Sequence, residues 1–107
     1  MAFIRERYLE KVSHAAAAFI ERESNRTSLI TVTGIGGSKS LTHVKILISV
    51  IPESEEENVL GFLRRNVNSF KTYLKKDAKI SRVPFVEFVS DKGEKNRLAL
   101  ENISKEV

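Results

Sequence analysis

Thr42–Val50 reads THVKILISV, with Val44, Ile46, Ile48 and Val50 alternating against His43, Lys45, Leu47 and Ser49. Period-two alternation sends alternate side chains to opposite faces of an extended chain, so this segment predicts a strand in a sheet with one buried face. Pro52 stops it, since proline has no N–H to give to a ladder. Leu29–Thr33 (LITVT) is a second strand, close enough upstream to pair antiparallel with the first. Everything else in the chain has to cover one face of that pair.

Two segments have the helical period. In residues 3–23, Ile4, Tyr8, Val12, Ala15, Ala16 and Phe19 recur at spacings of three and four. The alanine run 15–18 adds helix propensity and lets the helix lie close to its neighbour. After Pro52, Ser54 and Glu57 have the spacing of a capping box, and Glu55–Glu57 complement the positive end of a helix dipole. The stripe that follows is Val59, Leu60, Leu63, Val67, Phe70 and Leu74. Asn66, Asn68 and Ser69 interrupt it with poor helix formers, which predicts a kink or break there. Residues 82–89 (RVPFVEFV) form a third strand, with Pro84 near its start. A right-handed crossover through the helix pair makes the second and third strands parallel. The expected fold is α+β: helix, two strands, helix–kink–helix and strand, with helices on one face of a mixed three-stranded sheet.

At 107 residues the chain has room for one domain. Residues 1–91 carry the folded pattern, and 92–107 read as a short tail, helical at most. The formal net charge is +4, which favours a polyanionic partner. The absence of cysteine excludes disulfides and thiolate chemistry and fits a reducing compartment, the cytoplasm. Ala15–Ile20 is too short an apolar run for a signal peptide or a membrane span.

TGIGGSKS, residues 33–40, holds three of the five glycines and invites two misreadings. A phosphate-binding loop needs Gly-Lys-Ser/Thr contiguous and a helix immediately after it. Here Ser38 separates Gly37 from Lys39, and a strand follows. Gly34–Gly37 matches GxxG, but the KH-domain clamp of that pattern joins two helices. The expectation is a glycine-permitted turn between strands. His14 and His43 have no ligand spacing for a metal, no serine has a base partner, and Glu53–Glu57 is explained by the helix start. Neither an enzyme nor a cofactor is expected.

The pattern from Leu29 to Asp91 resembles the ribosome-binding factor A family. The matching features are a second strand entered through Leu41-x-His43-Val44-Lys45 and a third entered through Arg82-Val83-Pro84. The third strand leaves through Val86-x-Phe88-Val89-x-Asp91, and Asn96–Leu98 loosely matches the start of the family's C-terminal segment. Asn66-Val67-Asn68 stands where the family usually has an Ala-x-Gly kink, and Ser40 stands in place of the usual acidic residue. The resemblance implies a type II KH-like domain. It also implies a small-subunit maturation factor that binds free small ribosomal subunits and their rRNA as a monomer. The alternative is a general KH-like RNA-binding or interaction module.

Seven basic residues (Arg64, Arg65, Lys71, Lys75, Lys76, Lys79, Arg82) stand against one acidic residue, Asp77, between positions 64 and 82. On a helical wheel Arg64, Asn68, Lys71 and Lys75 share a face away from the apolar stripe. Lysine and arginine on a rigid face are what phosphate-backbone binding requires. These residues, with Asn66, Asn68, Lys39 and Lys45, are the expected RNA-binding set. The first helix mixes Arg5, Arg7, Lys11, Arg22 and Arg26 with four glutamates and reads as ordinary exposed surface.

Overall fold

Three strands form the sheet: β1 (Leu29–Gly37), β2 (His43–Ile51) and β3 (Phe85–Ser90). β1 and β2 run antiparallel, β2 and β3 parallel, and β2 is central. Helix α1 (Ala2–Glu23) precedes the sheet, while α2 (Glu56–Arg65) and α3 (Val67–Lys76) make the crossover from β2 to β3. The structure, a computed structural model, describes residues 2–24 and 27–92. The expected tail, Asn96–Leu98 within it and Arg26 lie outside the described residues, apart from Lys92.

The alternation in β2 carries the fold. Val44, Ile46, Ile48 and Val50 are all buried, in one cluster with Val12, Ala16 and Phe19 of α1, Val59, Leu60 and Leu63 of α2, and Phe70 and Leu74 of α3. Val86 and Phe88 of β3 join the same cluster. The tilted ring pairs Phe19–Phe70 and Phe70–Phe88, with centroids 5.3 and 5.5 Å apart, tie α1, α3 and β3 together. Leu47 points to the other face but is also buried, opposite Gly34 in the β1–β2 register, where a Cβ would lie 3.8 Å from the leucine side chain.

Three local expectations need correction. The glycines do not form the turn: Gly34–Gly37 continue β1, each paired with β2, after a register shift between Val32 and Gly34. The turn lies at 38–42, where Ser38 Oγ accepts the N–H groups of Thr42 and His43 at 3.1 Å and Leu41 takes φ 60°. At Gly37 a Cβ would sit 3.0 Å from Leu41 Cδ2 and 3.3 Å from Leu9 Cδ2, so a side chain there would have to displace those leucine ends by a few tenths of an ångström. Arg5 of α1 fastens the same corner, donating to the carbonyls of Gly37 and Ser38 at 2.6 and 2.9 Å.

The capping box does not form. A 3-10 turn at Glu53–Glu55 takes up Ser54, and α2 starts without a side-chain cap. The third strand starts at Phe85 rather than Arg82, so Pro84 precedes it. The expected helix break, by contrast, is present, at the single residue Asn66 with φ −109° and ψ 18°, outside the left-handed region.

Glu56, buried at the start of α2, accepts a hydrogen bond from Ser90 Oγ and an ion pair from Lys92 Nζ at 2.9 Å. The Ser90 hydroxyl, then Lys92, hold its carboxyl below the usual carboxylate range. A depressed carboxylate pKa contributes stability that is present above the unfolded-state pKa and lost as pH falls through the folded-state value. Ser90→Ala is therefore expected to destabilise the fold at neutral pH and to raise the Glu56 pKa toward normal. The gap from wild type should narrow as Glu56 protonates. Urea melts at a series of acidic pH values would show it, and a gap independent of pH would contradict it.

Candidate nucleic-acid interface

α2 ends because Asn66 stops it chemically. Its backbone N–H is shared between the carbonyls of Phe62 and Leu63 at 3.1 and 3.2 Å, and its side-chain Nδ2 donates to Phe62 O at 2.8 Å. Its own carbonyl accepts the N–H of Phe70 and starts α3. One asparagine thus closes one helix and opens the next. One of the two N–H donors of its side-chain amide is engaged in that closure. The break also places a new helix N-terminus mid-surface, and the N–H groups of a first turn have no intrahelical acceptor. Asn68, exposed, lies in that turn.

Two of the expected cations converge on the edge of the sheet. Phe85 N–H donates to Thr42 O and Asp91 N–H to Ile48 O. The odd-numbered peptides of β3 therefore serve β2, leaving those of Val86, Phe88 and Ser90 toward the open edge. Arg64 Nη2 reaches the Phe88 carbonyl on that edge at 3.4 Å. Lys71 Nζ lies 5.4 Å from the centroid of the Phe85 ring. Between helices and strand runs an open groove of about 350 Å³ lined by Arg64, Val67, Phe85, Val86, Glu87 and Phe88. Lys75 stands one turn beyond Lys71, exposed in the last turn of α3.

The remaining expected residues do not all share this place. Arg65 turns away and lines a cleft of about 370 Å³ with Glu23, Glu55 and Glu57, an acidic setting poor for phosphate. Lys45 lies on the outer sheet face, 4.0 Å from the Glu87 carboxylate and largely covered. Lys39 is exposed in the β1–β2 turn, while Lys76, Lys79 and Arg82 are exposed at and after the end of α3. Tyr8 Oη donates to the Arg82 carbonyl at 3.4 Å, fixing that loop to α1. A cleft of about 680 Å³ between α1 and β1 has no lysine or arginine among its described lining residues.

One residue on this surface has no role in the expectations from sequence. Phe85 is 57% exposed, an aromatic side chain on the solvent side of an edge strand. The signal is present in the alternation, since Phe85 is out of phase with the buried pair Val86 and Phe88. Among the described residues, no three of histidine, aspartate and glutamate converge as metal ligands, and no helix is long and apolar enough to cross a membrane.

The sequence matches the family model of ribosome-binding factor A over residues 4–104. Among solved structures, the crystal structure of ribosome-binding factor A from Thermus thermophilus is similar, with TM-score 0.73 and 21% identity over 83% of this chain and 97% of that one. The solution NMR structure of a Thermotoga maritima protein described under the same family name gives TM-score 0.60 and 20% identity, over 87% and 88% of the two chains. At such identities the likeness speaks for the fold, which is the KH-like one. No curated protein matches the chain.

Proposed function

The chain belongs to the ribosome-binding factor A family, and from that footing we propose that it binds free small ribosomal subunits through their rRNA. In this reading it assists late assembly and rRNA processing by holding an immature region until that region has folded or been processed. It acts as a cytoplasmic monomer and carries out no covalent chemistry. The observation that supports the reading most is the convergence of Arg64 and Lys71 on the open β3 edge, beside the helix break at Asn66. Cations held on rigid elements around a groove suit a phosphate backbone, because each contact releases condensed counterions. The contacting set is centred on Arg64, Lys71 and Lys75, with Asn68, Lys76, Lys79, Arg82 and Lys39 extending it.

Replacing Arg64, Lys71 and Lys75 together with glutamine is expected to weaken binding to rRNA without unfolding the domain. The slope of log affinity against log salt should fall by about 0.7–0.9 for each phosphate contact removed. The loss should be similar across RNA sequences, because phosphate contacts position without specifying. Fluorescence anisotropy over a salt series measures both. An unchanged slope would move the surface elsewhere, first to Lys39 and α1. In a sucrose gradient the wild-type protein should travel with free small subunits and be depleted from translating ribosomes. Failure to do so while RNA binding persists would favour a general RNA-binding module.

A further inference from the structure

Phe85 sits in a setting that an ordinary surface phenylalanine does not need. It is the first residue of β3, and its N–H is pinned to the Thr42 carbonyl at 2.9 Å. Buried Pro84 precedes it and buried Val86 follows, so its backbone is held on both sides. The side chain takes no part in the hydrophobic core. It faces His43, its register partner across the strand pair, with ring centroids 5.5 Å apart and planes tilted by 56°. The imidazole is itself steadied by Thr42, whose hydroxyl lies 3.1 Å from Nδ1. On the helix side, Lys71 brings its ammonium to 5.4 Å from the Phe85 centroid. An exposed ring, a second ring and a cation are thus held together at the mouth of the Arg64 groove. The nearby carboxylate, Glu87, has Lys45 at 4.0 Å to offset its charge toward an anion.

We propose that Phe85, with His43 beside it and the Lys71 ammonium over one face of the ring, is a stacking platform that offers its other face to an unpaired base of the bound RNA. The inference rests on the RNA-binding reading above and adds to it a preference for single-stranded over duplex RNA. Proteins that take hold of unpaired nucleotides combine a basic track for the backbone with aromatic faces for the bases. Every base has a π-face, so the platform is tolerant of sequence. In a duplex the faces are already stacked on one another and unavailable to Phe85. Arg64 and Lys71 serve the phosphates on either side of the stacked base.

The test compares wild type, Phe85→Ala, Phe85→Leu and Phe85→Trp with a short single-stranded oligoribonucleotide and with its duplex. Phe85→Ala should weaken single-strand binding by about 5- to 150-fold, the range of one base stacked on one aromatic ring. Its salt slope should stay at the wild-type value, because no ionic contact is lost. Phe85→Leu should not restore affinity, whereas Phe85→Trp should. The tryptophan would be the only one in the chain, and its emission should be quenched by the single strand and not by the duplex. Urea melts confirm that each variant is folded. If wild type binds the single strand and Phe85→Ala binds it equally, the platform is overturned while the basic-surface reading stands. If Phe85→Leu binds like wild type, the ring is a plain apolar contact, as a protein partner would use, and stacking is overturned. If wild type binds no RNA, both are overturned.

Discussion

Phe70→Ala is expected to lower stability by about 3–5 kcal/mol, the usual cost of deleting a fully buried phenylalanine. Phe70 is fully buried, with Phe19 of α1 on one side at 5.3 Å and Phe88 of β3 on the other at 5.5 Å. Its ring is therefore the middle member of a row that crosses the protein from first helix to last strand. Removing it leaves a void walled by two rings whose own elements are fixed by the sheet, so little collapse can fill it. Domains of this size have roughly 5–15 kcal/mol in all, so the variant should be partly unfolded or melt at far lower urea. Phe85→Ala is the internal control: an exposed ring outside the core should change stability by no more than about 0.5 kcal/mol. Equal midpoints for the two variants would show that Phe70 does not link the layers.

The contrast between Phe70 and Phe85 also shows what sequence patterning can convey. The buried stripe of β2, the stripe from Val59 to Leu74 and the order of elements are legible because each is a periodicity, and burial of one face enforces it. The break near Asn66 is legible from helix propensity, but its geometry is not. Asparagine's tolerance of a left-handed backbone suggests one way to bend the chain, and instead it does so with its amide on the Phe62 carbonyl. The glycines mislead for a related reason. Their propensity favours a turn, yet the Val44–Leu47 segment of β2 supplies a ladder of partners, and at Gly37 Leu9 and Leu41 leave little room for a side chain. Ser54 has the look of a cap, but the chain leaving Pro52 winds into a 3-10 turn first and leaves Ser54 inside it.

The basic cluster is legible as a count and not as a surface. Arg64 and Arg65 are adjacent in sequence, but successive helical residues point about 100° apart, so one reaches β3 and the other faces three glutamates. Lys45 counts as a cation in the sequence, although Glu87 lies opposite it in the parallel register, a pairing that depends on strand order. Phe85 escapes because no local rule flags an aromatic at the start of a strand. Its relation to His43 and Lys71 exists only after three separate elements have been packed together.

The second large effect concerns that same break. Thr72→Pro is expected to cost about 3 kcal/mol or more, and Val67→Pro much less, on the order of 1 kcal/mol. Thr72 is exposed in the interior of α3, with its hydroxyl on the Asn68 carbonyl at 3.1 Å. Proline there removes a helical hydrogen bond and drives its ring into the carbonyl four residues back. Val67 is the first residue of α3, a position where the N–H has no helical acceptor and proline's fixed φ suits the helix. Some cost remains at Val67. Asn66, at ψ 18°, must shift toward the extended region that a following proline demands, and the half-buried valine loses contact with the core. Urea melts of both variants beside wild type decide the matter. Equal losses at the two positions would mean that the helix runs unbroken through Asn66 in solution. In that case the new helix start beside Arg64 and Lys71 would not exist, and the proposed RNA surface would rest on the lysines and arginines alone.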